Sequence, residues 1–286
     1  MSIVVIGDAL IDEMRNGTRS VDAPGGSALN VAAGLAILGV PATLVAMIGA
    51  DADGRTLTEH LTGYGVDVLS SPSALGTGRA ISDRSNGEPS YSFTPAQVQR
   101  RIDFDAAAGV LRSADIIAVS GFPFDNQEQF NSLREAIVGA TVLVDPNPRP
   151  GLLIDRDLFA ANLEALAPSI AVLKLGDDDV RLLWGDSMVS VAERFVAAGT
   201  GAVLATEGAR GATVHTRSTP VHREIVELPE PIVDTMGAGD ATFSAVIAGY
   251  GERLDWRALL GAAMAIAAET IRHHGGTLRI PSHGER

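Results

Sequence analysis

The segment Asp234-Thr-Met-Gly-Ala-Gly-Asp240 places small residues between two carboxylates, after the strand-like run Ile232-Val233 and directly before the apolar stretch Ala241–Tyr250. Small residues at a helix start expose backbone N–H groups, and the helix dipole adds positive potential there, so Gly237, Ala238 and Gly239 form a candidate anion cradle. Asp240 sits at the same helix start, where a carboxylate is expected to be held ionised and able to accept a proton from an alcohol. An anion cradle beside a general base points to phosphoryl transfer onto a hydroxyl.

Other segments carry polar groups suited to ligands. Pro24-Gly-Gly-Ser-Ala-Leu-Asn30 opens an Ala/Gly/Leu/Val-rich segment ending near Gly39. Gly25 and Gly26 permit close backbone approach to a ligand, and the Asn30 amide can both donate to and accept from sugar hydroxyls. The alternative for Asn30 is a buried amide satisfied by backbone. Gly7-Asp8-Ala-Leu-Ile-Asp12 puts two carboxylates near the end of the first strand. Period-two counting sets them on one face if the strand continues, a pairing suited to vicinal hydroxyls. Either aspartate alone reads equally well as a turn or cap.

Arg149 in Asp145-Pro-Asn-Pro-Arg149-Pro could hold a phosphate or orient a substrate, although a loop arginine is solvated by default. Leu173-Lys174-Leu-Gly-Asp-Asp-Asp179 ends in three aspartates that could touch hydrated magnesium, or simply form a helix N-terminal turn. Thr206-Glu-Gly208-Ala-Arg-Gly211 is a glycine-rich turn that could cover nucleotide phosphates; by itself it is a tight turn.

The elements that must position these residues follow from hydrophobic patterning. Candidate strands are Ile3–Ile6, Thr43–Ile48, Ile116–Ser120, Thr141–Asp145, Ile170–Leu175, Ala202–Thr206 and Ala212–His215. Candidate helices are Ala28–Leu38, Arg55–Tyr64, Asn126–Ala136, Val191–Ala198, Ala241–Gly249 and Trp256–His273. The alternation predicts an α/β fold with a mainly parallel sheet covered by helices on both faces, and ligands beyond the carboxyl ends of its strands. Arg15–Ala23 and the weakly alternating Arg79–Phe93, with Asn86-Gly87 as a hairpin signal, break the pattern. They predict a small β-sheet lid formed by residues about 13–23 and 78–96, inserted in a single domain spanning 1–286.

Composition excludes several classes. The chain has 286 residues, 46% of them hydrophobic but only 5% aromatic, so Ala, Val, Leu and Ile must fill the core. It contains no cysteine, which rules out disulfides and thiolate metal sites. The net charge of −13 argues against nucleic acid and anionic membranes as partners. Lys174 is the only lysine among 22 basic residues. No apolar run reaches the roughly 18 residues that span a bilayer, and the N-terminus runs directly into a strand, so a cytoplasmic location without a signal peptide is expected.

Rival chemistries lack their residues. There is no G-x-x-x-x-G-K-[ST] phosphate loop. Gly237-Ala-Gly239-Asp-Ala-Thr242 lacks the third glycine of a dinucleotide fingerprint. Gly25-Gly-Ser27-Ala-Leu29 lacks the last glycine of a nucleophile elbow, and the six histidines show no metal spacing.

Taken together, Gly25-Gly26…Asn30…Gly39 and Asp234-Thr235-x-Gly237-Ala238-Gly239-Asp240 resemble the two signatures of the ribokinase-like (PfkB) carbohydrate kinase family, over nearly the full chain. The resemblance implies a Rossmann-like three-layer α/β/α ribokinase fold with a β lid, often paired into a homodimer through the lids. It implies ATP and Mg2+ as cofactors, and possible use of K+. Asp240 would be the catalytic base, with Gly237, Ala238 and Gly239 as the anion hole. Asp12, Gly25, Gly26 and Asn30 would bind the sugar, and Thr206, Gly208 and Gly211 the nucleotide, with Lys174 near its phosphates and Ala258–Gly276 walling the adenine.

Asp234 and the Gly275-Gly276 loop match parts of a potassium site. Gly176-Asp-Asp-Asp179 replaces the family's Asn-x-x-Glu, with Asp179 standing in for the glutamate that reaches magnesium through water. Ser27 replaces the lysine of ribokinases proper, which disfavours ribose. The Asp145-Pro-Asn-x-Arg149-Pro and Gly7–Asp12 motifs look more like bacterial fructokinases. The expected activity is therefore ATP-dependent phosphorylation of a sugar hydroxymethyl group, on fructose first. 2-Keto-3-deoxygluconate or ribose is the alternative substrate, and a non-catalytic sugar sensor the alternative class.

Overall fold

The computed structural model describes residues 1–17, 19–83 and 90–281. Its strands are β1 (Ile3–Gly7), β2 (Leu10–Asn16), β3 (Arg19–Gly25), β4 (Ala42–Met47), β5 (Asp67–Ser71), β6 (Gly78–Asp83), β7 (Ser90–Phe93), β8 (Ile116–Ser120), β9 (Thr141–Asp145), β10 (Ile170–Gly176), β11 (Ala202–Thr206), β12 (Ala212–His215) and β13 (Val221–Arg223). Its helices are α1 (Ser27–Ile37), α2 (Ala52–Gly63), α3 (Pro95–Val98), α4 (Phe104–Arg112), α5 (Gln127–Ala136), α6 (Arg156–Leu166), α7 (Asp177–Leu183), α8 (Met188–Ala198), α9 (Ala238–Gly251) and α10 (Trp256–Thr270).

The large sheet runs β13-β12-β11-β10-β9-β8-β1-β4-β5. From β5 to β11 every pair is parallel, and only the β11–β12 and β12–β13 pairs are antiparallel. Strands covered on both faces read as continuous apolar runs, as in the fully buried Ile3-Val-Val-Ile-Gly7 and Ile116-Ile-Ala-Val-Ser120. One face packs against α1, α2, α9 and α10 through an aliphatic core that includes Val5, Leu29, Leu44 and Val246. The other, which holds Phe122, Phe124, Phe130, Phe159 and Phe195, is covered by α4 to α8. Most of the buried phenylalanines thus gather on one side, with Phe243 on the other.

Because the parallel strands share a register, their carboxyl ends form one edge. Gly7 pairs with Ser120, Ser120 with Asp145, and Gly176 with Thr206.

A second sheet, β3-β2-β6-β7, holds the segments that break the α/β pattern. It is tied to the body by Arg79 on β6. That guanidinium is bidentate to Asp53 in the first turn of α2, at 2.6 and 2.7 Å, and also reaches Asp22 and Glu13 within its own sheet. Asp51, the N-cap of α2, accepts from the Thr77 backbone and hydroxyl at the start of β6. Strands β6 and β7 pair antiparallel, whereas the Asn86-Gly87 turn lies outside the described residues.

Two local expectations fail. Ile232-Val233 forms no strand; both residues lie exposed in a coil that precedes the glycine turn. Asp8 and Asp12 do not share one strand, because the chain leaves the large sheet after Gly7 and enters the small one at Leu10. Gly7 has φ 155° and lies against the Ser120 carbonyl and Ala28, where a side chain would not fit.

Candidate active site

Asp240 stands where two helix N-termini meet. Helix α9 begins at Gly237, whose φ of 77° suits glycine and which offers no side chain to cap the first-turn amides. A Cβ there would lie 2.3 Å from the Gly276 carbonyl, so the turn is closed against the 275–276 loop. Asp234 fastens the same two loops, accepting from Met236 N at 3.0 Å and from Gly275 N at 3.2 Å. Helix α1 begins after Gly26, at φ 101°, over the backbone of Asp8. The two helices cross closely because Gly34 faces Ser244, whose hydroxyl reaches the Val31 carbonyl.

That crossing delivers the first turn of α1 to Asp240. Ser27 Oγ donates to Asp240 Oδ1 at 2.8 Å, and Asn30 Nδ2 donates to Asp240 Oδ2 at 2.8 Å. Both carboxylate oxygens thus take a neutral donor. The side chain remains partly exposed. Its pKa is pushed up to about 6, first by desolvation and then by the Asp145 charge, against the Asn30 and Ser27 hydrogen bonds and the Lys174 charge. The expectation of a carboxylate held firmly ionised is therefore corrected: burial outweighs the helix start. A base that titrates near 6 is suited to accept a proton near neutral pH.

The other carboxylates on the α1 side are crowded too. Asp12, on β2, lies so close to Gly25 that a Cβ there would stand 1.9 Å from its Oδ2. Its pKa is raised to about 7 by burial and by the charges of Asp8 and Asp240. So Asp8 and Asp12 do converge, by a change of sheet and not by strand periodicity. Asp8 is also a cap: its carboxylate accepts from Ala28 N at 3.2 Å, and the Arg100 guanidinium partly offsets the upward pull of its burial. Arg149 is exposed, and its charge partly opposes the upward shifts of Asp8, Asp12 and Asp179.

Beneath the glycine turn lies the single lysine. Lys174 Nζ is 2.7 Å from Asp145 Oδ2, both groups buried, and a Cβ on Gly239 would come within 3.2 Å of that ammonium. Burial alone would lower its pKa, but Asp145, Asp179 and Asp240 outweigh it and raise it. Asp145 Oδ1 is buried without a partner. Asp179 turns back to accept from Gly176 N at 2.7 Å, so the acidic run does form a helix start, and burial raises its pKa against the pull of Lys174. Thr206 lies beside Gly176. Gly208 has φ 56° in the exposed turn that follows, whereas Gly211 packs on the backbone of Arg223 and Glu224. Among the described residues no group of three or more His, Asp or Glu is placed to hold a metal ion.

The sequence pointed to Asp240, Asn30, Lys174 and Asp12 by type and motif. It missed Ser27 as a partner of Asp240, Ser120 behind it, and Asp145 as the partner of Lys174. Asp145 and Ser120 each end a predicted strand, and a polar residue at the carboxyl end of a parallel strand was the available signal.

Comparisons with known proteins bear on the family and the fold. The model of the pfkB family carbohydrate kinases matches residues 1–283. A fructokinase from Klebsiella pneumoniae is 33% identical over 264 residues, covering 86% of this chain and 83% of that protein. The crystal structure of a fructokinase with bound ATP from Xylella fastidiosa superposes with a TM-score of 0.82 at 23% identity, covering 96% of this chain and 93% of the other. An Escherichia coli protein in complex with ATP and Mg2+ gives a TM-score of 0.82 at 20% identity, covering 96% and 94%. The ribokinase fold, with its separate small sheet, is thereby established.

Proposed function

The chain belongs to the pfkB family of carbohydrate kinases, and from that premise we propose that it transfers the γ-phosphoryl group of ATP to the 6-hydroxymethyl group of fructose. The observation that carries the mechanism is Asp240: a partly exposed carboxylate of raised pKa, oriented by Ser27 and Asn30, at an uncapped helix start above Lys174. The fructokinase relatives favour fructose.

In this reading Asp240 takes the proton of the attacking hydroxyl, and the amides of Gly237, Ala238, Gly239 and Asp240 hold the charge that develops on the transferring group. Asp12, Gly25, Gly26, Asn30 and Arg149 bind the sugar. Sugar hydroxyls would donate to the crowded carboxylate of Asp12, whose raised pKa reflects burial beside Asp8 and Asp240. Lys174, Thr206, Gly208 and the turn based at Gly211 serve the nucleotide. Asp179 and the orphaned oxygen of Asp145 would fit a magnesium ion carried by the nucleotide and its waters; among the described residues no His, Asp or Glu cluster forms a cage of its own. When bound, it would neutralise phosphate charge. Asp234 keeps lone pairs beyond its two amide bonds, so the joined loops also fit a potassium ion.

The small sheet acts as a lid that excludes water during transfer. Val21 pairs with Met14, Met14 with Ser82 and Ser82 with Tyr91, so these side chains form one row across a sheet face. Val21, Met14 and Tyr91 are 59, 37 and 62% exposed, an apolar row suited to the same row of a second copy. The lid thereby supports a homodimer, which light scattering would test. Among the described residues no helix is long and apolar enough to cross a membrane. We place the enzyme in the cytoplasm.

The test is ADP release with ATP, magnesium and a panel of fructose, ribose, 2-keto-3-deoxygluconate and no sugar. Fructose should give the highest kcat/KM. A higher value for another sugar would replace the substrate, and release with none of them would leave a sugar sensor.

A further inference from the structure

Two serine hydroxyls stand in line behind the Asp240 carboxylate. Ser27 Oγ donates to Asp240 Oδ1 at 2.8 Å, and Ser27 and Ser120 share a short hydrogen bond between their Oγ atoms. Ser27 is 4% exposed and Ser120 0%. A hydroxyl has a single proton to donate. Because Ser27 spends its proton on the carboxylate, the proton between the two serines belongs to Ser120. The line therefore has a direction, from Ser120 to Ser27 to Asp240.

The fold goes to some length to build it. Ser120 ends β8 and pairs with Gly7 at the end of β1. A Cβ on Gly7 would lie 1.7 Å from the Ser120 carbonyl and 2.9 Å from Ala28 Cβ, so the bare glycine lets the start of α1 settle onto the strand end that carries Ser120. A buried hydroxyl is costly without a partner, and alanine would serve the same packing without that cost.

We propose that Ser120 is a positioning residue for phosphoryl transfer, acting through Ser27 to hold the Asp240 carboxylate in one orientation and in its proton-accepting state. The proposal rests on Asp240 as the base. With both hydroxyls donating toward Oδ1, a proton on the lone pair that Ser27 occupies would force both to turn, so the line favours the charged form and opposes burial. The proton taken from the sugar is thereby directed to Oδ2 or to the free lone pair of Oδ1. The other groups facing Asp240 are Asn30 from α1, Asp12 from β2, Asp145 from β9 and Lys174 from β10, and all are unchanged in the test variants.

The test compares Ser120→Ala, Ser27→Ala and the double variant, using the pH dependence of kcat and the carboxyl 13C resonance of Asp240 in aspartate-labelled protein, assigned by its loss in Asp240→Asn. In Ser120→Ala the KM values for sugar and ATP should stay within about twofold while kcat falls several-fold, and the acid limb and the resonance midpoint should both move up by about half to one pH unit, the value of one hydrogen bond. Ser27→Ala should do the same more strongly, and adding Ser120→Ala to it should change nothing further. An unmoved Asp240 midpoint in Ser120→Ala, or additive effects in the double variant, would overturn the proposal. If instead Asp240→Asn keeps wild-type turnover, it is the base assignment that fails, and the carboxyl titration still reports whether the serine line acts on Asp240.

Discussion

Asp240 and Asp145 both sit at the carboxyl edge of the large sheet, yet their surroundings differ in kind. Asp145 is fully buried and has the Lys174 ammonium at 2.7 Å. Asp240 is reached only partly by solvent and has Ser27 and Asn30 as neutral donors. Asp145 is thus one half of a buried ion pair, fixed in place by a full counter-charge in direct contact. Neutral donors orient a carboxylate while leaving its pKa at about 6, close to where a base is effective. The single lysine thus lies beneath the glycine turn paired with Asp145, whereas Asp240, the proposed base, is held by neutral donors.

The sharpest way to break this contrast is to neutralise the titrating side. Asp240→Asn should bind sugar and ATP nearly as wild type by calorimetry but lose turnover by about 100-fold or more. Wild-type-like turnover would remove Asp240 as the base. On the other side, Lys174→Met leaves a buried carboxylate without its counter-ion and should cost about 3–5 kcal/mol in denaturant unfolding. Adding Asp145→Leu should recover much of that stability without recovering ATP affinity, which separates the structural share of the pair from its share in nucleotide binding.

A third prediction uses pH. The carboxyl groups of Asp12 and Asp240 have folded-state pKa values of about 7 and about 6, above the ordinary aspartate value of 3.8. Between about pH 4 and 7 the folded protein therefore holds protons that the unfolded chain would release, and the stability these groups contribute falls as pH rises through that window. Asp12→Asn should raise the melting temperature above pH 7 by about 2–4 °C per kcal/mol gained, show no gain below pH 4, and weaken sugar binding. A melting temperature independent of pH in both proteins would show that the crowding is relieved without ligand.

The smallest effect concerns the lid. Arg79→Met removes a partly exposed network, so global stability should change by only about 1 kcal/mol. The looser hold on α2 should raise the sugar KM and sugar-free ATP hydrolysis, read as ADP release.

Much of the architecture could be read along the chain. Strands Ile116–Ser120, Thr141–Asp145, Ala202–Thr206 and Ala212–His215 fall where patterning put them, because fully covered strands are runs of apolar residues. Strand β5, Asp67-Val-Leu-Ser-Ser71, escaped because its composition is mixed; it forms by pairing with β4 at the sheet edge. Helices α4 and α6 were missed although each carries a cap signal, with Asp103 accepting from Ala106 N and Asp155 from Leu158 N.

The sequence by itself determined the chemistry available: a glycine turn that bares amides, an aspartate at its end, one lysine, and side-chain caps for α2, α4, α5 and α6. Those are local properties, settled by residue type and backbone freedom within a few positions. Which groups face Asp240 was decided only in three dimensions. Ser27 lies 213 residues from Asp240 in the chain, and Ser120 lies between them, 93 residues from Ser27. They meet because glycines at positions 7 and 34 let α1 approach both the strand ends and α9, and no short-range pattern encodes a contact made by the absence of a side chain.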